Sequence, residues 1–454
     1  MESYRSINPY TEEEFFSYEL HSKDEVELKL NQAYEEGLLN GSANLEKRVE
    51  AILNVAQYLA SRKMDFAESI SLEMGKVLRE AASEIEKCIW LCKYYADNAA
   101  EFLKEERLEL GEDIAIRRYE PLGVLLGVMP WNFPFWQVFR FAIPAILAGN
   151  RIIVKHAPNC PHSAELIEEA FHFALEESFY QNVRLTHVQV AHLLNDPRIK
   201  ALSLTGSTRA GKEVAQIAAK NLKPQVLELG GSNAFLLLED ADPSKAAKLA
   251  ARARLLNAGQ SCIAAKRFIV PKDLLPYFRE ALITEFKKFL LGDPLDPKTD
   301  IGPLARPDLA QKVEEQIQQS IAQGAKLWLG GKRERNFIEP SILEISTSDN
   351  TAFQDEVFGP VAVIIAYESL EEAIELSNIS SFGLGISLIG NDLDKLLELS
   401  NHFEEGAVFI NELVKSDPRL PFGGVKDSGY GRELGPEGIR SFTNLKTIYI
   451  KRSL

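Results

Sequence analysis

Cysteine is scarce, with four residues in 454. They stand at positions 88, 92, 160 and 262 and include no C-x-x-C pair, so a disulfide framework is excluded and a reducing cytoplasmic setting is expected. Histidine is scarce too, seven in all, with no H-E-x-x-H. His187 and His192 are five apart and fall on different faces of any helix, so no structural metal is expected. Positive charge is in deficit: 51 Lys and Arg against 66 Asp and Glu leave a formal charge of -15. Such a surface repels phosphate backbones, which argues against nucleic acid. Long apolar runs are lacking as well. The most apolar stretch, Val124 to Trp136, is broken by Pro130, Asn132 and Pro134, and Met1 to Glu14 has no basic apolar leader, so neither a membrane span nor an export signal is expected. No G-x-G-x-x-G fingerprint occurs, and the near match to a P-loop at Gly206 to Lys212 fails at Glu213, where a carboxylate replaces the magnesium-binding hydroxyl. What survives there is an amide-rich helix start suited to one pyrophosphate.

What is present is an ordinary globular balance, 45% hydrophobic and 26% charged, in a length that suits two large domains or about three average ones. Asp24 to Leu103 carries apolar residues at helical period, and strands are expected from Gly111 onward. Ile114 to Tyr119 alternates, Val124 to Val128 is continuously apolar, and strand then alternates with helix: helix 135–148, strand 151–155, helix 163–176, strand 201–204, helix 208–220, strand 226–229. This rhythm predicts a parallel, doubly wound sheet. A second series follows (strand 234–238, helix 243–257, strand 268–270, helix 274–291, strands near 361–366 and 407–410) and predicts a second α/β domain. Gly292 to Pro307 reads as an ordered surface connection. Thr447 to Ile450 reads as a strand with no obvious sheet of its own, able, with Ile114 to Tyr119, to pair with another subunit.

Cys262 follows a helix-like run within Asn257-Ala258-Gly259-Gln260-Ser261-Cys262, where glycine permits close approach of a substrate. It is either a nucleophile or a buried structural thiol. Cys88 and Cys92, at helical spacing, read as core, and Cys160 sits in a proline-flanked loop. Glu228 ends the apolar run from Val226, where burial would raise its pKa; it is a general base or a satisfied structural carboxylate. Asn132, in Pro130-Trp131-Asn132-Phe133-Pro134, lies at the carboxyl end of a strand, the edge where α/β proteins bind ligands. Its amide can donate to an oxyanion or cap the next helix.

Together these residues resemble the aldehyde dehydrogenase superfamily, and within it the bacterial succinate-semialdehyde dehydrogenases. The resemblance runs through Ile7-Asn8-Pro9, Pro130 to Pro134, Leu204 to Ser207, Leu227 to Gly231, Gly259 to Cys262, Glu356 to Pro360, and Pro421 to Lys426 with Ser428-Gly429. It implies a Rossmann-like dinucleotide-binding domain (1–106 and 121–229), an α/β catalytic domain bearing the nucleophile (230–425), and a small β oligomerisation arm with a C-terminal segment (107–120 and 426–454). It further implies Cys262 as nucleophile, Glu228 as general base, and Asn132 with the Cys262 N–H as oxyanion hole. The thiolate would add to the aldehyde, and the thioester left after hydride transfer would be hydrolysed to a carboxylic acid.

On the cofactor side the resemblance implies Lys155 and Glu356 at the ribose, Gly206 and Ser207 at the pyrophosphate, Phe358 beside the nicotinamide and Trp131 as a pocket neighbour. NAD-preferring relatives commonly carry a Glu three residues after that lysine; here the position is Pro158, which leaves room for NADP. No arginine stands nearby in sequence to favour a 2′-phosphate, so the reading is NAD or NADP with a slight lean to NAD. Arg140 matches an arginine that binds the substrate carboxylate in the succinate-semialdehyde branch, with Ser261 and Arg419 as further substrate-side candidates. Phe135, Trp136 and Phe139 either line the same tunnel or, as apolar residues, belong to the core. A homodimer or homotetramer is expected. The competing readings are a broad aliphatic or aromatic aldehyde dehydrogenase, a CoA-acylating enzyme, and a catalytically idle binding protein of the same fold.

Overall fold

The computed structural model describes residues 3–39 and 44–452; the outermost ends of the expected first domain and of the C-terminal segment, 1–2 and 453–454, lie outside them. Runs that are apolar on both faces form two largely parallel sheets, as buried strands must. The first has six strands in the order Gly429–Tyr430, Gln225–Glu228, Ile199–Thr205, Val124–Val128, Arg151–Lys155, Tyr180–Asn182. All neighbours are parallel except the short Gly429–Tyr430, which runs antiparallel to Gln225–Glu228. From Val124–Val128 the chain first winds outward through Arg151–Lys155 to Tyr180–Asn182. It then crosses back to Ile199–Thr205 on the other side, so a switch of winding direction falls between Val124–Val128 and Ile199–Thr205. A crevice opens outside the carboxyl ends of strands at such a switch, and Met129 to Asn132 and Gly206 to Ser207 border it.

The second sheet has seven strands in the order Lys326–Leu329, Ser341–Ile345, Val361–Tyr367, Ala265–Pro271, Asn233–Leu237, Ile386–Ile389, Val408–Ile410. Only Lys326–Leu329 is antiparallel to its neighbour. Its central strands are buried throughout, among them Phe235, Leu236, Phe268 and Ile269; each such side chain contributes about 1.5–3 kcal/mol by leaving water. The strand Asn233–Leu237 follows directly on Gln225–Glu228, so the chain passes from one sheet to the other through Leu229 to Ser232.

Two expectations change, and one alternative is decided. Strands begin before Gly111: Ser3–Ile7 and Glu14–Glu19 pair antiparallel, and only Ser6 and Tyr18 in them are buried, so they carry little of the apolar alternation that would reveal them. The C-terminal strand has a sheet of its own. Thr443–Ile450 pairs along its whole length with Asp113–Pro121 of the same chain, which also pairs with Glu106–Leu110. Phe135 and Phe139 belong to the core, stacked through Phe171 and against Phe66, because the helix Pro134–Leu147 is buried on every side.

No described helix is long and apolar enough to cross a membrane.

Candidate active site

Two cavities meet at one thiol. One, of about 230 Å³, is walled by Glu80, Ser83, Glu84 and Lys87 of the helix Leu78–Phe102, by Trp136, Gln137 and Arg140 of the helix Pro134–Leu147, and by Ser261, Cys262, Val414, Ser416 and Phe422 among others. The other, of about 210 Å³, is walled by Trp131, Asn132, Gly206, Ser207, Leu229, Gly230, Cys262, Glu356 and Phe358 among others. Cys262 and Gln137 belong to both walls. The structure therefore gathers, around Cys262, all but three of the expected site residues: Glu228, Lys155 and Arg419 lie outside both walls.

The chain reaches Cys262 by an unusual route. The helix Pro243–Leu255 ends, and Asn257 (φ 55°), Ala258 (φ 53°) and Gly259 (φ 74°) then hold left-handed backbone in succession. A Cβ on Gly259 would stand 2.3 Å from the Gly359 carbonyl oxygen, so only glycine fits there. The turn is tied down from three sides. The Asn257 N–H donates to Glu80 at 2.8 Å, the Asn257 amide donates to the Asn132 and Gln260 carbonyls, and Arg254 donates to the carbonyls of Gly259, Val357 and Ala265. Lys266 Nζ donates to the Ser261 and Cys262 carbonyls at 3.0 Å each. Burial pushes the Cys262 thiol up to about 11, against the opposing pull of the Lys266 ammonium. Cys262 is half-buried, whereas Cys88, Cys92 and Cys160 are fully buried.

Asn132 does not cap the following helix. That helix starts without a side-chain cap from its own first residues; Glu84 supplies one instead, its Oε1 accepting the Phe135 and Trp136 N–H groups at 3.0 Å each. The other Glu84 oxygen pairs with Lys76, whose Nζ also donates to the Asn132 carbonyl at 2.9 Å. Lys76 and Glu84, both fully buried, thus fix the Asn132 loop from behind. The Asn132 amide donates to the Gln260 carbonyl at 3.1 Å, which engages one of its two hydrogens.

Glu228 is buried, its Oε1 has no hydrogen-bond partner among the described residues, and burial lifts its pKa well above the ordinary carboxylate range, with Arg140 opposing and Glu433 adding to the rise. Arg140 is itself buried in an ion pair with Glu433; its guanidinium lies 4.7 Å over the Phe422 ring and donates to the Thr205 hydroxyl at 3.4 Å. Ser261 is buried in the wall beside Cys262. Arg419 pairs with Asp417 at 2.8 Å, lies over Trp90, and keeps 63% of its side chain in solvent.

The second cavity suits a dinucleotide. Ser207 caps the thirteen-residue helix Thr208–Lys220 by accepting the Ala210 N–H, leaving the positive helix end at the cavity wall. Glu356 accepts the Gly231 N–H at 2.9 Å and lies 3.7 Å from Lys266. A Cβ on Gly230 would stand 2.6 Å from that carboxylate, so glycine keeps this wall open. Trp131 and Phe358 meet edge to face, with ring centroids 5.8 Å apart. Lys155 is buried at the end of its strand, 5.4 Å from the Tyr4 ring, and burial lowers it to about 8.

Known proteins similar to this chain identify its family. Residues 1–448 match the aldehyde dehydrogenase family. The chain is 42% identical to the succinate-semialdehyde dehydrogenase [NADP(+)] of Mycobacterium avium, over 99% of this chain and 97% of that one. It is 39% identical to the succinate semialdehyde dehydrogenase [NAD(P)+] Sad of Escherichia coli, over 98% of each. Among solved structures, the succinic semialdehyde dehydrogenase of Streptococcus pyogenes in complex with NADP+ superposes with a TM-score of 0.96 at 38% identity, covering 98% of this chain and 99% of that one. These names lend no support to the lean towards NAD. The chain belongs to the aldehyde dehydrogenase family and is an oxidoreductase that oxidises an aldehyde with NAD(P).

Proposed function

We propose that this protein oxidises succinate semialdehyde to succinate and accepts NADP, with Cys262 as nucleophile. The observation that carries the reading is that Cys262 stands at the junction of two cavities, one suited to a dinucleotide and the other walled by Lys87 and Arg140. The relatives named for this substrate support it, and so does Pro158, which puts no carboxylate where one would repel a 2′-phosphate. Lys155, buried at the end of its strand and in no described ion pair, is the cation for that phosphate.

In this mechanism the Cys262 thiolate forms a bond to the aldehyde carbon. The alkoxide so formed takes hydrogen bonds from the Cys262 N–H and from the second hydrogen of the Asn132 amide. The bound nicotinamide supplies the acceptor for the hydride that leaves this carbon. Glu228, in its deprotonated form, then rotates towards the resulting thioester and takes a proton from water; the water oxygen bonds to the acyl carbon, the carbon–sulfur bond breaks, the thiolate is regenerated with release of the acid, and Glu228 passes its proton on to solvent. We place the three-stranded arm, with Leu445, Tyr449 and Ile450 exposed on it, at a contact between copies of the chain in a dimer or tetramer.

Initial rates with succinate semialdehyde and butanal test the substrate assignment. The semialdehyde has the higher kcat/KM by at least about tenfold, the worth of one charge-assisted contact; equal values for the two aldehydes contradict it.

A further inference from the structure

The first cavity contains several ionic side chains, and all but two are neutralised by a neighbour of opposite charge. Arg140 is paired with Glu433, Glu84 with Lys76, and Lys415 with Glu412. Glu80 accepts the Asn257 N–H, and burial lifts it to about 7. Lys87 is different. Its Nζ donates to the Ser416 hydroxyl at 2.7 Å and lies 4.1 Å over the Trp136 ring, and no described carboxylate forms an ion pair with it. Both contacts hold a cation in place without cancelling its charge: a hydroxyl is a neutral acceptor and an indole face offers only its quadrupole. An ammonium removed from bulk water without a counter-ion is costly. Burial accordingly lowers Lys87 to about 8, with Arg140 adding to the fall and Glu84 and Asp417 opposing it.

We infer that Lys87, seated on Trp136 and Ser416, is the uncompensated cation that binds the carboxylate of an acid-aldehyde substrate, while Arg140, already paired with Glu433, shapes and supports that site. This rests on the proposed function and assigns its specificity to a residue on a different helix. A carboxylate entering this cavity completes the ion pair that Lys87 lacks and accepts the Ser416 hydroxyl proton as a second contact. A neutral aldehyde of the same length leaves the ammonium unpaired.

The test compares the wild-type protein with Lys87→Met, which keeps the length of the stem, and Lys87→Arg, which keeps the charge. Calorimetric titration with succinate reads the anion site directly, and kcat/KM for succinate semialdehyde and butanal reads its use. Lys87→Met is expected to weaken succinate by roughly ten- to a hundredfold and to lower kcat/KM for the semialdehyde at least tenfold more than for butanal, mainly through KM, with Lys87→Arg restoring most of both. Succinate affinity unchanged by Lys87→Met, or absent already in the wild type, overturns the assignment, as does an equal loss on both aldehydes. A wild-type preference for the semialdehyde that survives in Lys87→Met overturns Lys87 alone. Succinate binding that depends on Lys87 in a protein indifferent between the two aldehydes leaves the anion site standing and overturns the substrate.

Discussion

Burial raises the pKa of both Cys262 and Glu228, and each shift yields a prediction with a definite sign. With its thiol at about 11 and only half-buried, Cys262 is alkylated by iodoacetamide faster as pH rises, by about tenfold per unit below that value, since the thiolate is the reacting species. Cys88, Cys92 and Cys160 stay unmodified in the folded protein. Peptide mass mapping checks both points; equal labelling of all four contradicts the site. For Glu228 the folded pKa is raised above its ordinary 4.5, so the folded protein keeps a proton that the unfolded chain releases. The stability this adds is complete below about 4.5 and is lost as pH rises from there towards the folded value. Glu228→Gln therefore raises the thermal midpoint at pH 8 relative to wild type and not at pH 4, while lowering kcat by roughly a hundredfold or more through loss of the base. A midpoint shift independent of pH contradicts this. The same residues show what the sequence makes legible. Cys262, Asn132, Gly206 and Glu356 sit in glycine- or proline-marked motifs between a helix and a strand, where local pattern and site coincide. Lys87 and Glu84 do not: they lie within Asp24 to Leu103, where only the apolar residues at helical period stand out, and only the packing shows that Glu80, Ser83, Glu84 and Lys87 border a cavity.

At the scale of elements, the buried pair of Lys76 and Glu84 joins the helix Leu78–Phe102 to the start of the helix Pro134–Leu147 and to the Asn132 loop. Lys76→Met leaves the Glu84 carboxylate buried and unpaired and is expected to cost about 3–5 kcal/mol, measured as a lower denaturant midpoint. The double variant Lys76→Met, Glu84→Gln recovers part of that loss, because no lone charge remains. A single variant as stable as wild type contradicts the role given to the pair. Among strands apolar on both faces, Val124–Val128 and Val361–Tyr367 were legible, whereas Ile386–Ile389 and Ser341–Ile345, equally buried but with a serine in each run, were not. Ser3–Ile7, Glu14–Glu19 and Tyr180–Asn182 were not, being short or polar and held by pairing rather than by pattern.

For the whole molecule, the three-stranded arm pairs within its own chain, yet Leu108, Leu110, Leu445, Tyr449 and Ile450 remain exposed on it. Such a surface suits burial against another copy. Leu445→Asp with Tyr449→Asp is expected to shift the protein to a smaller species in sedimentation velocity; an unchanged sedimentation coefficient contradicts the placement of the contact. The two-domain rhythm was legible because each βαβ step is local, whereas the partner of Thr443–Ile450 lies over 300 residues away in sequence and no local signal names it.

The most direct measurement is absorbance of the reduced nicotinamide, with succinate semialdehyde and butanal each tested against NADP and NAD. The account predicts the fastest turnover at low substrate for succinate semialdehyde with NADP. Preference for butanal, or no reduction of either cofactor by either aldehyde, would contradict it.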